Sequence, residues 1–413
     1  MEFRKERLDN GLELVAECDP DAHSLAMGFF VRAGSRDETD DVAGVSHFLE
    51  HMLFKGTERR SADDVNREFD EIGAHYNAFT SEESTVYYAS VLPEHQTSCI
   101  DLLADIMRPS LRVDDFDMEK KVIQEEIQMY LDQPPYGMDD RVKQLAFGGH
   151  AITRSVLGTD ASIAALSRDQ MAQYFAQRYA PSNLYVAAAG RLDFEQLVDD
   201  LNQRCGAWTG PSVQRQIEKL SGRTGFEAVT QPSATQQYVL RLGAAPDAED
   251  ADRFAAKLLT TIVGDDSGSR FYWEFIDPGI AESASLGHYE YQGLGMYYAW
   301  LSAMPEDAEE ILERIEKVLQ QVDAQGVTAD ELKLAKAKLR SRVVLGSERP
   351  RSRMFSVGGN WGHRREYRAV RDDLRSIDAL TPDDIARVLG RFPLAKSATL
   401  TVGPRDDIAT PRV

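Results

Sequence analysis

The segment His47-Phe48-Leu49-Glu50-His51 puts two imidazoles and a carboxylate within five residues. On a helix, residues three and four apart share a face, so His47, Glu50 and His51 would point together. Two imidazoles one turn apart can both reach a tetrahedral zinc at about 2.0–2.1 Å. Glu50, immediately before the second histidine, can reach a metal-bound water without ligating the metal, which is the place of a general base. The order HxxEH inverts the better-known HExxH arrangement.

A zinc that does chemistry needs a third protein ligand and an open fourth position. The acid-rich stretch EKKVIQEEIQMYL at 119–131 is the source the sequence offers. Read as a helix, it places Glu126 between Ile123 and Tyr130 on a largely apolar stripe, with Glu125 turned about 100° away. Glu119, seven residues earlier, falls on the face of Glu126, where it could orient a ligand or tune the charge of the site. The histidine helix itself carries Phe48, Leu49, Met52, Leu53 and Phe54, which leave little of its surface polar. Three ionisable groups on a helix buried on most sides are costly without a partner, and a divalent cation is the simplest one.

The elements that must position these residues are legible as alternating strands and helices. Residues 12–16, 25–31, 85–91 and 184–189 are short apolar or Tyr/Val/Thr-rich runs and read as strands. Residues 43–55 have helical spacing with Gly56 as C-cap, 116–131 is helical until Pro134 and Pro135 stop it, and 167–178 is a third helix. A weak internal repeat pairs 166–193 with 380–406, each a capped helix, a loop and a strand closed by Gly. A second echo pairs FFVRAGSRDETDD from Phe29 with YVLRLGAAPDAED from Tyr238. A period of about 210 residues implies a duplicated domain rather than a solenoid of short repeats. The linker falls in the Gly-, Ser- and Thr-rich stretch 206–233. The expected division is a metal-binding domain at 1–208, a linker at 209–233 and a degenerate second copy at 234–413. The fold class is α+β, two domains of similar build.

With 413 residues, 42% hydrophobic and 28% charged, the chain has material for two globular cores. The longest apolar runs fall far short of the roughly 20 residues of a membrane span. The stretch MEFRKERLDNGLELV has neither the apolar core nor the cleavage site of a secretory signal. Cys18, Cys99 and Cys205 form no CxxC pair, so no disulfide framework or thiolate site is suggested, and a reducing cytoplasm is the expectation. The net charge of −21 argues against nucleic acid. It would attract basic peptides, or it simply keeps the surface solvated.

Taken together these residues resemble the pitrilysin/insulinase family of zinc peptidases, the inverzincins. That family pattern is HxxEH followed by 74 residues and a glutamate ligand, and here 74 residues lie between His51 and Glu126. Glu119 matches the family's glutamate seven residues before the ligand. GVSHFLEHMLFKGT from Gly44, YNAFTSEEST from Tyr76 and VIQEEIQMYLDQP from Val122 match as well. The resemblance implies two α/β-roll domains, antiparallel-rich sheets with packed helices, with the metal site only in the first. The second copy fits, since Ala256, Leu259 and Thr260 stand where the three motif residues would be. The length is similar to the short, processing-peptidase-like members, which pair to enclose a chamber, so a homodimer or a heterodimer with a homologous subunit is expected.

The same resemblance implies zinc held by His47, His51 and Glu126, with Glu50 as base and Glu119 in support. It also implies substrate binding along Asn77, Ala78, Phe79 and Thr80, as an edge strand that pairs with peptide backbone. The plainer alternative is an ordinary turn into the 85–91 strand. One departure stands out. Relatives carry an arginine and a tyrosine seven apart that contact substrate, and EFIDPGIAES has Phe275 and Glu282 in those places. The expected function is a zinc metalloendopeptidase acting on peptides or unfolded segments. The alternatives are a non-catalytic or partner-dependent subunit of a paired peptidase, and a hydrolase of non-peptide amides. His75 and His95 read as structural or surface residues, and Arg340, Arg342, Arg349, Arg351 and Arg353 as solvated or packed against acids.

Overall fold

Every residue of Leu25–Val31 and of Leu184–Gly190 is buried, so both faces of these strands are covered. That is why they read as unbroken apolar runs instead of alternating ones. The structure, a computed structural model, describes residues 1–132 and 137–410, and Pro134 and Pro135 lie outside the described residues. The first sheet has strands β1 (Glu2–Arg7), β2 (Glu13–Cys18), β3 (Leu25–Val31), β4 (His75–Thr80), β5 (Thr85–Val91) and β6 (Leu184–Gly190). Their order is β1-β2-β6-β3-β5-β4, with β2 parallel to β6 and every other pair antiparallel.

The two faces of this sheet are separated by strand periodicity. Met27, Phe29 and Val31 point to the larger core with α1 (Val45–Leu53), α2 (Ala62–Glu71), α3 (Gln96–Ile106) and α4 (Val113–Asp132). Ala26 and Phe30 point the other way, to Met354, Val357 and Trp361 of the helix Pro350–Arg364. Gly358 permits that approach, because a Cβ there would stand 2.4 Å from the Phe30 ring. Tyr185 Oη donates to the Gly358 carbonyl at 2.9 Å across the same contact.

The second sheet has β7 (Gly225–Thr230), β8 (Gln237–Ala245), β9 (Ser283–Tyr291), β10 (Leu294–Ala303) and β11 (Ser397–Gly403), in the order β7-β11-β8-β10-β9. Only β7 and β11 run parallel. Strand for strand this repeats β2-β6-β3-β5-β4, so the duplication extends to topology. The helix Arg253–Gly264 stands where α1 stands in the first sheet, with Ala256, Leu259 and Thr260 all buried. The opposite face is covered by α5 (Met138–Phe147), through Val142, Ala146 and Phe147 against Leu240, Leu242 and Leu400.

The chain therefore forms two compact units that do not follow its halves. The first comprises Met1–Met129, Arg154–Gln216 and Leu345–Arg368; the second comprises Tyr130–Thr153, Ile217–Val344 and Ala369–Val413. This differs from a division at residues 208 and 234. Each half contributes a helical segment to the other unit, and the apolar face of a helix does not say which sheet it will cover. No helix among the described residues is long and apolar enough to cross a membrane.

Candidate metal centre

The start of α1 is fixed before its histidines appear. Gly44 takes φ +91° at the N-cap, and Glu38 accepts from the backbone N–H of Gly44 and of Ser46, both at 2.7 Å. Burial pushes the Glu38 carboxyl up to about 8 against the pull of these two bonds. Phe48, Leu49, Met52 and Leu53 then anchor α1 in the core. His47 and His51 are left on one face, ring centroids 4.7 Å apart. α4 is set against α1 by Phe116, stacked on Phe48 at 4.8 Å, and by buried Ile123 and Ile127.

That packing carries Glu126 to the histidines. Its Oε2 lies 3.7 Å from Nε2 of His47 and 3.7 Å from Nε2 of His51. Glu125 is exposed. A tetrahedral ion with bonds of about 2.0–2.1 Å needs ligand atoms roughly 3.3–3.4 Å apart. The two spacings from Glu126 are a few tenths wider. Two neutral nitrogens and one carboxylate form the donor set of a catalytic zinc with an open position. Among the described residues this is the group of three whose ligand atoms all lie within 4.8 Å of one another.

The electrostatics suit a cation. Burial, and then the neighbouring His51, push His47 down to about 3, so its ring is neutral with a free lone pair. Its Nδ1 is buried and has no hydrogen-bond partner among the described residues. Burial pulls His51 down, but the bond and charge of Glu119, with Glu126 and Glu50, outweigh it and raise the ring. Glu119 Oε1 sits 2.8 Å from His51 Nδ1, and Glu119 Oε2 is 2.6 Å from Lys55 Nζ. Buried as it is, Glu119 is held below the usual carboxylate range by these two partners. Burial raises Glu126, and Glu119 adds to the rise. Burial also raises Glu50, partly offset by a bond from Thr80, whose Oγ1 donates to Oε2 at 2.6 Å.

Asn77, Ala78, Phe79 and Thr80 all lie on β4, the outermost strand of the sheet, in contact with α1. Asn77 Oδ1 accepts from the Ala78 N–H at 2.8 Å, and Phe79 is exposed beside Phe355. Thr80 is turned to Glu50, a role the sequence gives no sign of. Glu38 and Lys55 also escape the sequence reading, Lys55 because it lies in the turn just past the end of α1. His75 is exposed and His95 half-buried.

In the second unit, Phe275 is fully buried, edge-on to Phe271 at 5.5 Å, while Glu282 accepts from Gln236. Phe275 is thus a core residue and not an exposed substrate contact. Of the arginine cluster, Arg340 pairs with Asp378, Arg342 with Asp265, and Arg353 is buried against Glu17.

Known proteins are similar to this chain in sequence and in fold. The family model described as Insulinase (Peptidase family M16) matches residues 13–160, and that of the Peptidase M16 inactive domain matches 165–339. An uncharacterised zinc protease of Streptomyces coelicolor is 33% identical over 417 residues, covering 98% of this chain and 90% of its own. The uncharacterised zinc protease YmxG of Bacillus subtilis is 30% identical over 386 residues, covering 92% and 94%. In fold, the crystal structure of a protease from Helicobacter pylori superimposes with a TM-score of 0.90 at 19% identity, covering 98% of this chain and 99% of that one.

Proposed function

The chain belongs to the insulinase family of M16 peptidases, and from that premise we propose that it is a zinc metalloendopeptidase acting on peptides or unfolded segments. The observation that carries this reading is the single Glu126 oxygen placed 3.7 Å from both histidine Nε2 atoms. His47, His51 and Glu126 would hold the metal, and the relatives named zinc proteases support zinc as the ion. When bound, zinc supplies Lewis acidity and brings the pKa of a water down to about 7.

The chain's own groups supply the rest. Glu50 takes the proton of the attacking water and passes it to the departing amine nitrogen. Its raised pKa brings the carboxyl nearer to the working pH, which favours both transfers. Glu119 fixes the tautomer of His51, keeping Nε2 as the donor atom. β4 lies at the edge of its sheet, where an extended peptide can form an added strand once it displaces the bond between the Ala78 N–H and Asn77 Oδ1.

A paired assembly, homodimeric or with a homologous subunit, accompanies this reading. The burial of Phe275 and the acidic Glu282 leave the second unit without the arginine and tyrosine that the family resemblance implies as substrate contacts. That observation favours the second reading, in which the chain works fully only beside a subunit that supplies them. Glu50→Gln tests the first reading: hydrolysis of a quenched peptide should be abolished with zinc content unchanged. Turnover near that of the unaltered protein would remove Glu50 from the base role. Sedimentation of a fully active monomer would remove the pairing.

A further inference from the structure

Glu50 reaches the site on a side chain with three rotatable bonds, and a base that wanders is a poor base. One of its two carboxylate oxygens is already committed, because Thr80 Oγ1 donates to Oε2 at 2.6 Å. The Thr80 backbone N–H bonds the same carboxylate, and because a hydroxyl has one proton to give, its bond to Oε2 leaves the Thr80 side chain with no donor for a substrate.

Thr80 is itself firmly mounted. It is β-branched, hence stiff about χ1, and it closes the β4 ladder opposite Thr85. The turn that follows is tight, with Ser81 N–H donating to the Ser84 carbonyl at 2.8 Å. That turn is clasped from outside by the Ser35 N–H on the Ser81 carbonyl at 3.3 Å and the Arg36 N–H on the Glu82 carbonyl at 2.9 Å. The clasp leaves no slack, since a Cβ on Gly34 would stand 2.2 Å from the Ser81 carbonyl oxygen.

We infer that Thr80 is a positioning residue for the hydrolytic step: it holds the Glu50 carboxylate in one orientation and is not a substrate contact. The inference rests on Glu50 being the base. A group displaced by about 1 Å can lose roughly a hundredfold in rate, whereas substrate affinity depends on groups elsewhere. The bond is the work of the hydroxyl and not of the methyl, so serine should replace threonine and valine should not.

The test uses the zinc-loaded full chain in four forms: unaltered, Thr80→Val, Thr80→Ser and Glu50→Gln. Thr80→Val should lower kcat about a hundredfold with KM within about twofold, and Thr80→Ser should stay within about threefold on both constants. Zinc content and the thermal midpoint should be unchanged in both threonine variants. A crystal structure of Thr80→Val should show the Glu50 carboxylate displaced or in several orientations. The idea is overturned if Thr80→Val keeps full kcat, if Thr80→Ser falls as far as Thr80→Val, or if only KM rises. A silent Thr80→Val beside an inactive Glu50→Gln removes Thr80 alone. An active Glu50→Gln removes the base assignment instead.

Discussion

His51 and Glu119 form a pair that faces away from the metal position: Nδ1 of the ring lies 2.8 Å from the Glu119 carboxylate, while Nε2 is turned to Glu126. Lys55, at 2.6 Å from the other Glu119 oxygen, keeps that carboxylate ionised and in place. The ring is thus oriented from behind before any ion arrives.

Glu119→Gln should therefore weaken zinc affinity without removing a ligand. Loss of such a supporting carboxylate typically costs about 10–100-fold in metal affinity. Competition against a chelator of known strength gives the measurement, and an unchanged affinity would mean that His51 needs no support.

Glu126→Gln should behave differently, with zinc lost at stoichiometric loading because a neutral amide is a much weaker ligand. Glu125→Gln should change nothing, since that side chain is exposed on the far side of α4. Metal analysis of the two purified variants decides between adjacent residues, and loss of zinc from the Glu125 variant alone would reverse the assignment.

Much of this site was legible because its ingredients are local. The spacing of His47, Glu50 and His51 needs only a helix, and α1 spans Val45–Leu53 where 43–55 is expected. The stripe that singles out Glu126 over Glu125 likewise needs only the helical repeat of α4. The strands β3 and β5 match their expected bounds because apolar and β-branched runs between turns have one reading. What was not legible depends on tertiary contact. Thr80 meets Glu50 thirty residues away in sequence, across a strand-to-helix contact that no periodicity encodes. The exchange of helical segments between the units is of the same kind, for a helix shows that it has an apolar face and not whose.

That exchange has a consequence for fragments. The face of the first sheet formed by Val15, Ala26, Phe30, Val86 and Ala187 is covered by the helix Pro350–Arg364. A fragment of residues 1–208 leaves these side chains to water, and it also leaves Glu17 buried beside the missing Arg353, which donates through Nε at 2.8 Å. Such a fragment should be aggregated or molten, and joining residues 345–368 through a flexible linker should restore a cooperative melt. Near-UV circular dichroism and thermal unfolding report the outcome, and a well-ordered 1–208 would show that the helix is dispensable.

Acid stability should depend on the turn that mounts Thr80. Glu83, in that turn, is buried against two arginines and a histidine from distant parts of the chain. Arg36 Nη1 lies at 2.5 Å, His363 Nε2 at 3.3 Å and Arg215 Nη1 at 3.5 Å. Burial alone would raise its pKa, but His363, Arg215 and Arg36 together outweigh it and hold the carboxyl at about 2. An unfolded glutamate titrates near 4.3, so the folded state keeps this carboxylate ionised where the unfolded chain would already bind a proton. The stabilisation, about 3 kcal/mol at neutral pH, is fully present above the unfolded pKa. It is lost as pH falls from about 4.3 through about 2. Glu83→Gln should lower the thermal midpoint at pH 7, because it leaves buried cations less well paired. Below pH 4 its midpoint should fall less steeply than that of the unaltered protein, and the two curves should converge towards pH 2. Parallel curves over that range would show that Glu83 does not set the acid limb.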